Sequence, residues 1–203
     1  MFYLRSRHGD TGCNVVFHNK NGAGYGTDLD NLESFTKEAA QKEVGHDVRS
    51  LPLLISEVDK LAIKAVDMQY LDSTKAALNP FARYVIQITG DYNGNDIYFK
   101  CDDGRTYNYD KANTYNYDDA LFFGSTSSNA VIWSKEYLDT IARRTFQAQN
   151  INIRKMVTGA GIAYKKPRKP KETSGKARGN CPECGKITWT FNPYESAYCH
   201  GCK

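Results

Sequence analysis

Apolar positions in residues 1–164 come in short bursts broken by turn residues, the pattern of brief strands and small helices. FYLRSR and CNVVFH read as two β-runs joined by the turn HGDTG, and a second turn, NKNGAG, leads to a third extended piece at YGTDL. Thr36 is placed to cap a helix over KEAAQKEV, with Phe35 as its staple against Ala40. Asn116 and Tyr115 take the same two roles further on. Beginning at Val58 and at Leu138, apolar residues recur at i, i+3, i+4, i+7 and i+8, which predicts two closing helices, each with one buried stripe. Ser56 with Asp59 reads as a capping box for the first of them.

These features share one spacing. TDLDNLESFTKEAA from Thr27 lies over YNYDKANTYNYDDA from Tyr107, an offset of 80 residues, and the same offset sets Val58, Leu61, Ala62, Ala65 and Val66 over Leu138, Ile141, Ala142, Thr145 and Phe146. The expected fold is α+β: two tandem copies of a small antiparallel-sheet-plus-helices module, over residues 1–80 and 81–160. A flexible basic linker over 161–179 and a zinc ribbon over 180–203 are expected to follow. At 203 residues and 40% apolar content the chain can bury such cores.

The last 23 residues change the picture, because they hold four of the six cysteines. Cys181 and Cys184 form one CxxC pair, Cys199 and Cys202 another, with fourteen residues between them. A CxxC turn aims two thiolates at one ion, and a strand-prone stretch such as Ile187–Phe191, turning at Asn192-Pro193 and returning through Tyr198, would carry the second pair back to it. Zn²⁺ is the expected cofactor, although iron accepts the same ligands. Two disulfides would need an oxidising compartment, for which the chain shows no apolar signal segment. No apolar run approaches the length of a membrane span, so a cytoplasmic chain with no membrane partner is expected.

Charge is divided unevenly. The formal +4 arises from nine Lys and Arg against three Glu in residues 165–203, a net of +6, which leaves −2 for residues 1–164. Lys165, Lys166, Arg168, Lys169, Lys171, Lys176 and Arg178 fall within fourteen residues, interrupted by Pro and Gly that deny a helix. Such a run is either a solvated tether or a phosphate-binding arm that gains affinity by releasing counterions. Beside it stand Trp189 and Phe191, rings able to stack on bases, so DNA or RNA is the expected partner.

The run GAGYGTDLDNLESFTKEAA, followed by LPLLISEVDKLA, resembles a module of uncharacterised bacteriophage accessory proteins in which a GYT/TDL run precedes a YTxEEA-type helix start. The resemblance covers residues 2–68 and, more loosely, 84–147, where GRTYNYDKA loses the Gly-Tyr-Thr order. It implies a phage or prophage origin, hence the cytoplasm of a bacterial host, and brings no catalytic residues.

Residues 1–164 offer little else for chemistry. GAGYG at Gly22–Gly26 lacks the following helix and Lys-Ser/Thr of a phosphate loop and reads as a turn. Asp28 and Asp30 imitate the start of a calcium loop, but Glu33 and Ala39 stand where Gly and Glu are required. His8, His18 and His46 share no helical face, and Cys13 and Cys101 read as half-buried strand thiols. Tyr98, Phe99, Tyr107, Tyr109, Tyr115 and Tyr117 read as sheet packing, as a stacking surface or as an anchor for a protein, with Tyr107 and Tyr109 on one strand face if extended. Two functions follow: a non-enzymatic accessory protein that binds nucleic acid through arm and ribbon, or an effector whose duplicated modules bind and inhibit a host protein.

Overall fold

A computed structural model of the chain describes all residues except 48, 76–81, 166–174, 193, 195–196 and 203. Residues 1–166 form one compact unit and 167–203 a second.

The first unit is α+β, and its elements are as short as the apolar bursts that encode them. β1 (Phe2–Leu4) pairs antiparallel with β4 (Pro52–Leu54), and β2 (Phe17–His18) with β3 (Tyr25–Gly26). α1 (Lys37–His46) starts where Thr36 Oγ1 accepts the Ala39 N–H at 3.2 Å. α2 (Ile55–Lys60) follows β4 directly, and β5 (Ile63–Ala65) follows α2. Later in the chain β6 (Tyr84–Asn93), β7 (Asp96–Cys101), β8 (Gly104–Thr106) and β9 (Ala130–Ser134) make a four-stranded antiparallel sheet in the order β8-β7-β6-β9. Between β8 and β9 lies α3 (Tyr117–Thr126), capped by Asn116 Oδ1 on the Asp119 N–H at 2.9 Å. α4 (Lys135–Ile141), whose N-terminus is capped by Ser134, and β10 (Arg143–Thr145) come next. A turn of π-helix, Arg154–Thr158, closes the unit.

The expected closing helices are only partly formed. α2 ends at Lys60 and α4 at Ile141, and the chain past each helix runs into β5 and β10, which pair with each other and take in Ala65 and Thr145 of the two stripes. Ser56 lies inside α2, whose N-cap is Leu54 without a side-chain bond, so the capping box is absent. The reason is tertiary. Ile63, Thr145 and their neighbours gain a strand partner from the other half of the unit, Arg144 opposite Lys64 at its centre, and that ladder wins over a helical period.

The same exchange builds the cores. The first cluster gathers Phe2, Leu4, Phe17, Leu53 and Val58 and is completed by Phe146, Met156, Val157 and Ile162. The second gathers Val85, Ile97, Phe99, Trp133 and Leu138 around Val66. Backbone bonds fix these crossings: Val15 N–H to Phe146 O at 2.8 Å, and Ile97 N–H to Val66 O at 3.0 Å. Where the turns of the two halves meet, Gly12 (φ +60°) and Gly94 (φ +63°) touch backbone to backbone, and a Cβ on Gly12 would stand 2.4 Å from Gly94 N.

A buried polar network lies beside that contact. Asn14 Nδ2 donates to Asp96 Oδ2 at 2.6 Å, while Thr145 Oγ1 and Gln147 Nε2 donate to Asn14 Oδ1 at 3.1 and 2.7 Å. Arg143 Nη2 forms an ion pair with Asp96 Oδ1 at 2.7 Å without hydrogen-bond alignment, and lies 3.5 Å from Asp67 Oδ2. Burial pushes the Asp96 carboxyl above its ordinary range, with Arg143 and Asn14 pulling the other way.

Candidate metal centre and nucleic-acid interface

In the second unit β11 (Ala177–Asn180) pairs antiparallel with β12 (Ile187–Thr190), and the connection between them is the first CxxC turn. Cys181 N–H donates to Lys186 O at 2.8 Å and Gly185 N–H to Cys181 O at 2.9 Å, a tight knuckle in which Gly185 takes φ +71°. The strand expected at Ile187 is present, but its partner differs. It pairs with residues at the end of the basic run instead of with a return strand through Tyr198, because the knuckle folds Asn180 onto Ile187. Arg178 is therefore part of a β-strand and not of a flexible linker.

The knuckle turns Cys181 and Cys184 toward Cys199 and Cys202, which sit on a second turn closed by Cys202 N–H to Cys199 O at 3.0 Å. All four sulfurs lie within 4.8 Å of one another and could hold a metal ion. A tetrahedral four-thiolate site with metal–sulfur bonds of about 2.3 Å places its sulfurs about 3.8 Å apart, so the cluster has the right size. Cys184 and Cys199 sulfurs are 3.4 Å apart, a contact and not a bond, and all six cysteines are free thiols. Hydrogen bonds from the backbone of Cys199 and of Cys184 draw the Cys181 thiol down to about 6. Contacts with Cys184 and Cys199 push the Cys202 thiol up to about 12. Four thiols this close cannot all ionise unless a cation stands among them, which is the chemistry of a metal centre.

Strand alternation places Thr188 inward, buried, and Ile187 and Trp189 outward. Trp189 is 59% exposed, Phe191 75% and Tyr194 95%. Arg178 lies directly across the ladder from Trp189, and Lys176 Nζ stands 5.1 Å from the centroid of the Phe191 ring. Cationic groups and exposed rings thus share one small surface.

Of the residues singled out for nucleic acid, Lys176, Arg178, Trp189 and Phe191 come together here. Lys165 is exposed at the end of the first unit. Lys166, Arg168, Lys169 and Lys171 lie outside the described residues.

In the first unit the rings of the tyrosine-rich segment pack against neighbouring rings. Phe99 and Tyr109 rings lie 5.4 Å apart, Tyr98 and Tyr107 5.6 Å, and Tyr115 and Phe123 5.1 Å. Tyr107 and Tyr109 share no strand face, because β8 ends at Thr106 and a 3₁₀ turn begins at Tyr109. Tyr109 is buried with its hydroxyl on Asp139 Oδ1 at 2.8 Å. His18 stacks edge-on against Tyr25, and burial lowers its pKa. Among the described residues the four cysteines are the one group of His, Cys, Asp or Glu placed to hold a metal, and no helix is long and apolar enough to cross a membrane. Arg143, Asp67 and Asp96 belong to no motif in the sequence. Their only signal was a pair of arginines, Arg143-Arg144, inside an otherwise apolar stripe.

No protein-family description, curated protein or solved structure matches the chain.

Proposed function

We propose that the chain is a non-enzymatic accessory protein that associates with DNA or RNA through its terminal hairpin, a zinc ribbon, and the basic arm that precedes it. The observation that carries this reading is the placement of Arg178 across from Trp189 and of Lys176 over Phe191, so that phosphate-binding and base-stacking groups face the same way. Zn²⁺ held by Cys181, Cys184, Cys199 and Cys202 would fix the knuckle from which β12 projects. Four thiolates around Zn²⁺ carry a local −2, so phosphate affinity comes from the lysines and arginines and not from the metal. On this reading, which the resemblance to phage proteins supports, the chain acts in the cytoplasm of a bacterial host, in host takeover or gene control.

The body is proposed to be two copies of one module. Supporting this, α3 begins 80 residues after α1, α4 after α2 and β10 after β5, with caps at Thr36 and Asn116. The bridge Phe2–Phe35 has a counterpart in Tyr84–Tyr115, and Lys64 pairs with Arg144, its own equivalent at the offset of 80. A partner protein for this body is the second reading, favoured by Leu121 and Phe122, which α3 exposes side by side.

Fluorescence anisotropy with labelled single- and double-stranded DNA and RNA tests the first reading. Trp189→Ala and Phe191→Ala should each weaken binding roughly tenfold, the scale of one lost base stack. Wild-type affinity in both variants would remove the rings from the interface.

A further inference from the structure

A cleft of about 490 Å³ opens on the first unit where the two halves meet. Its volume falls within the range of small-molecule sites. Tyr25, Thr27 and Asp28 come from the first β-hairpin and the turn after it, Asp67 and Tyr70 from the segment after β5, and Arg143 from β10.

Arg143 is the group that points to a ligand. Its side chain is 9% exposed. Nε and Nη2 donate to Thr27 Oγ1 at 3.1 and 3.0 Å, and Nη2 also faces Asp96 and Asp67. Nη1, with two protons, is buried without a hydrogen-bond partner among the described residues, and Arg143 is one of the residues that line the cleft. A buried donor in this position calls for an acceptor.

The rest of the wall narrows what that acceptor belongs to. Asp28 and Asp67 outnumber Arg143 as charges on the lining, so a phosphate or carboxylate is disfavoured. Asn19, Asn31, Gln69 and Asn95 add amide donors and acceptors, and only Val16 and Ile141 are aliphatic. Tyr70 is 64% exposed, a ring with open surface, whereas the Tyr25 ring packs against His8 and His18. We infer that this cleft binds a neutral nucleobase, as the free base or nucleoside, with a carbonyl oxygen or ring nitrogen accepting from Arg143 Nη1, an exocyclic amine on the carboxylates and the Tyr70 ring against its plane. Guanidinium to base acceptor and carboxylate to base amine are the pairings by which proteins read base edges.

A second cleft of about 280 Å³ supplies the control. It is lined by Ile63 and Gln147, which stand 80 residues from Arg143 and Asp67, and by Gln149. The arginine on its wall, Arg105, is exposed, and no carboxylate lines it.

The test is calorimetric titration of the full chain with adenosine, guanosine, cytidine and uridine, with their 5′-monophosphates, and with glucose and galactose. At least one nucleoside should bind and its monophosphate should bind no more tightly. Tyr70→Ala and Arg143→Met should each weaken that nucleoside roughly tenfold, while Gln149→Ala in the second cleft leaves it unchanged. If Arg143→Met melts abnormally, Tyr70→Ala, an exposed change, decides alone. Absence of binding by every nucleoside at about 10 mM, far weaker than any specific site, would overturn the inference. So would binding of a hexose in place of a nucleoside, a preference for the phosphorylated forms, or an affinity that Tyr70→Ala leaves untouched.

Discussion

Cys199 shows what a single residue settles at this end of the chain. Its sulfur approaches Cys184 at 3.4 Å, and its backbone supports Cys181. Cys199→Ser should abolish stoichiometric zinc in protein purified without added metal, whereas the wild-type chain should hold one ion. Elemental analysis reads both, and undiminished zinc in the variant would contradict the ligand set. The thiols were legible in the sequence because metal-ligand spacing is a local property that survives without knowledge of the fold. Asp96 was not, because a carboxyl directly after the turn Asn93-Gly94-Asn95 looks like any surface Asp until a chain crossing buries it. Its folded pKa is raised above the ordinary 3.8, chiefly by burial. The folded chain then keeps a proton that the unfolded chain has released, so this group's contribution to stability falls as pH rises from 3.8 through the raised value and is regained on acidification. Urea melts across this range should show a shallower decline for Asp96→Asn than for wild type. Equal slopes would mean that the carboxyl titrates as if exposed.

At the scale of elements, the caps at Thr36 and Asn116 were readable while the Ser56 capping box and the ends of the closing helices were not. Thr36 and Asn116 act within three residues of themselves, so sequence suffices. The residues after Lys60 and after Ile141 fit a helical stripe equally well, and only the pairing of β5 with β10 decides for strand. The knuckle at Cys181–Lys186 likewise chose β11 as partner of β12, which no local pattern announces. The exchange makes a specific demand on Phe146. It comes from the second half of the unit but is fully buried in the first cluster, which it shares with Phe2, Phe17 and Leu53. Phe146→Ala should cost about 3–5 kcal/mol in urea unfolding, the range for an aromatic removed from a packed core. A loss below about 1 kcal/mol, the scale of surface changes, would show that the crossing carries no packing.

For the whole molecule, charge is the organising quantity. Residues 1–164 carry a net −2 and residues 165–203 a net +6, so an acidic body is joined to a basic end. That division was legible from composition, but the surface on which the charge meets aromatic rings was not, since it depends on β11 pairing with β12 and setting Arg178 against Trp189. If the basic end binds phosphates, affinity must fall with salt in proportion to the contacts made. The most direct measurement is the salt dependence of binding to duplex DNA, for the wild-type chain and for one in which Lys165, Lys166, Arg168, Lys169 and Lys171 are all replaced by Ser. The slope of log affinity against log salt should shrink in magnitude by roughly four to five, while any preference among sequences survives. A wild-type chain with no salt-sensitive binding to any nucleic acid near physiological ionic strength would contradict the account and leave the basic run a tether.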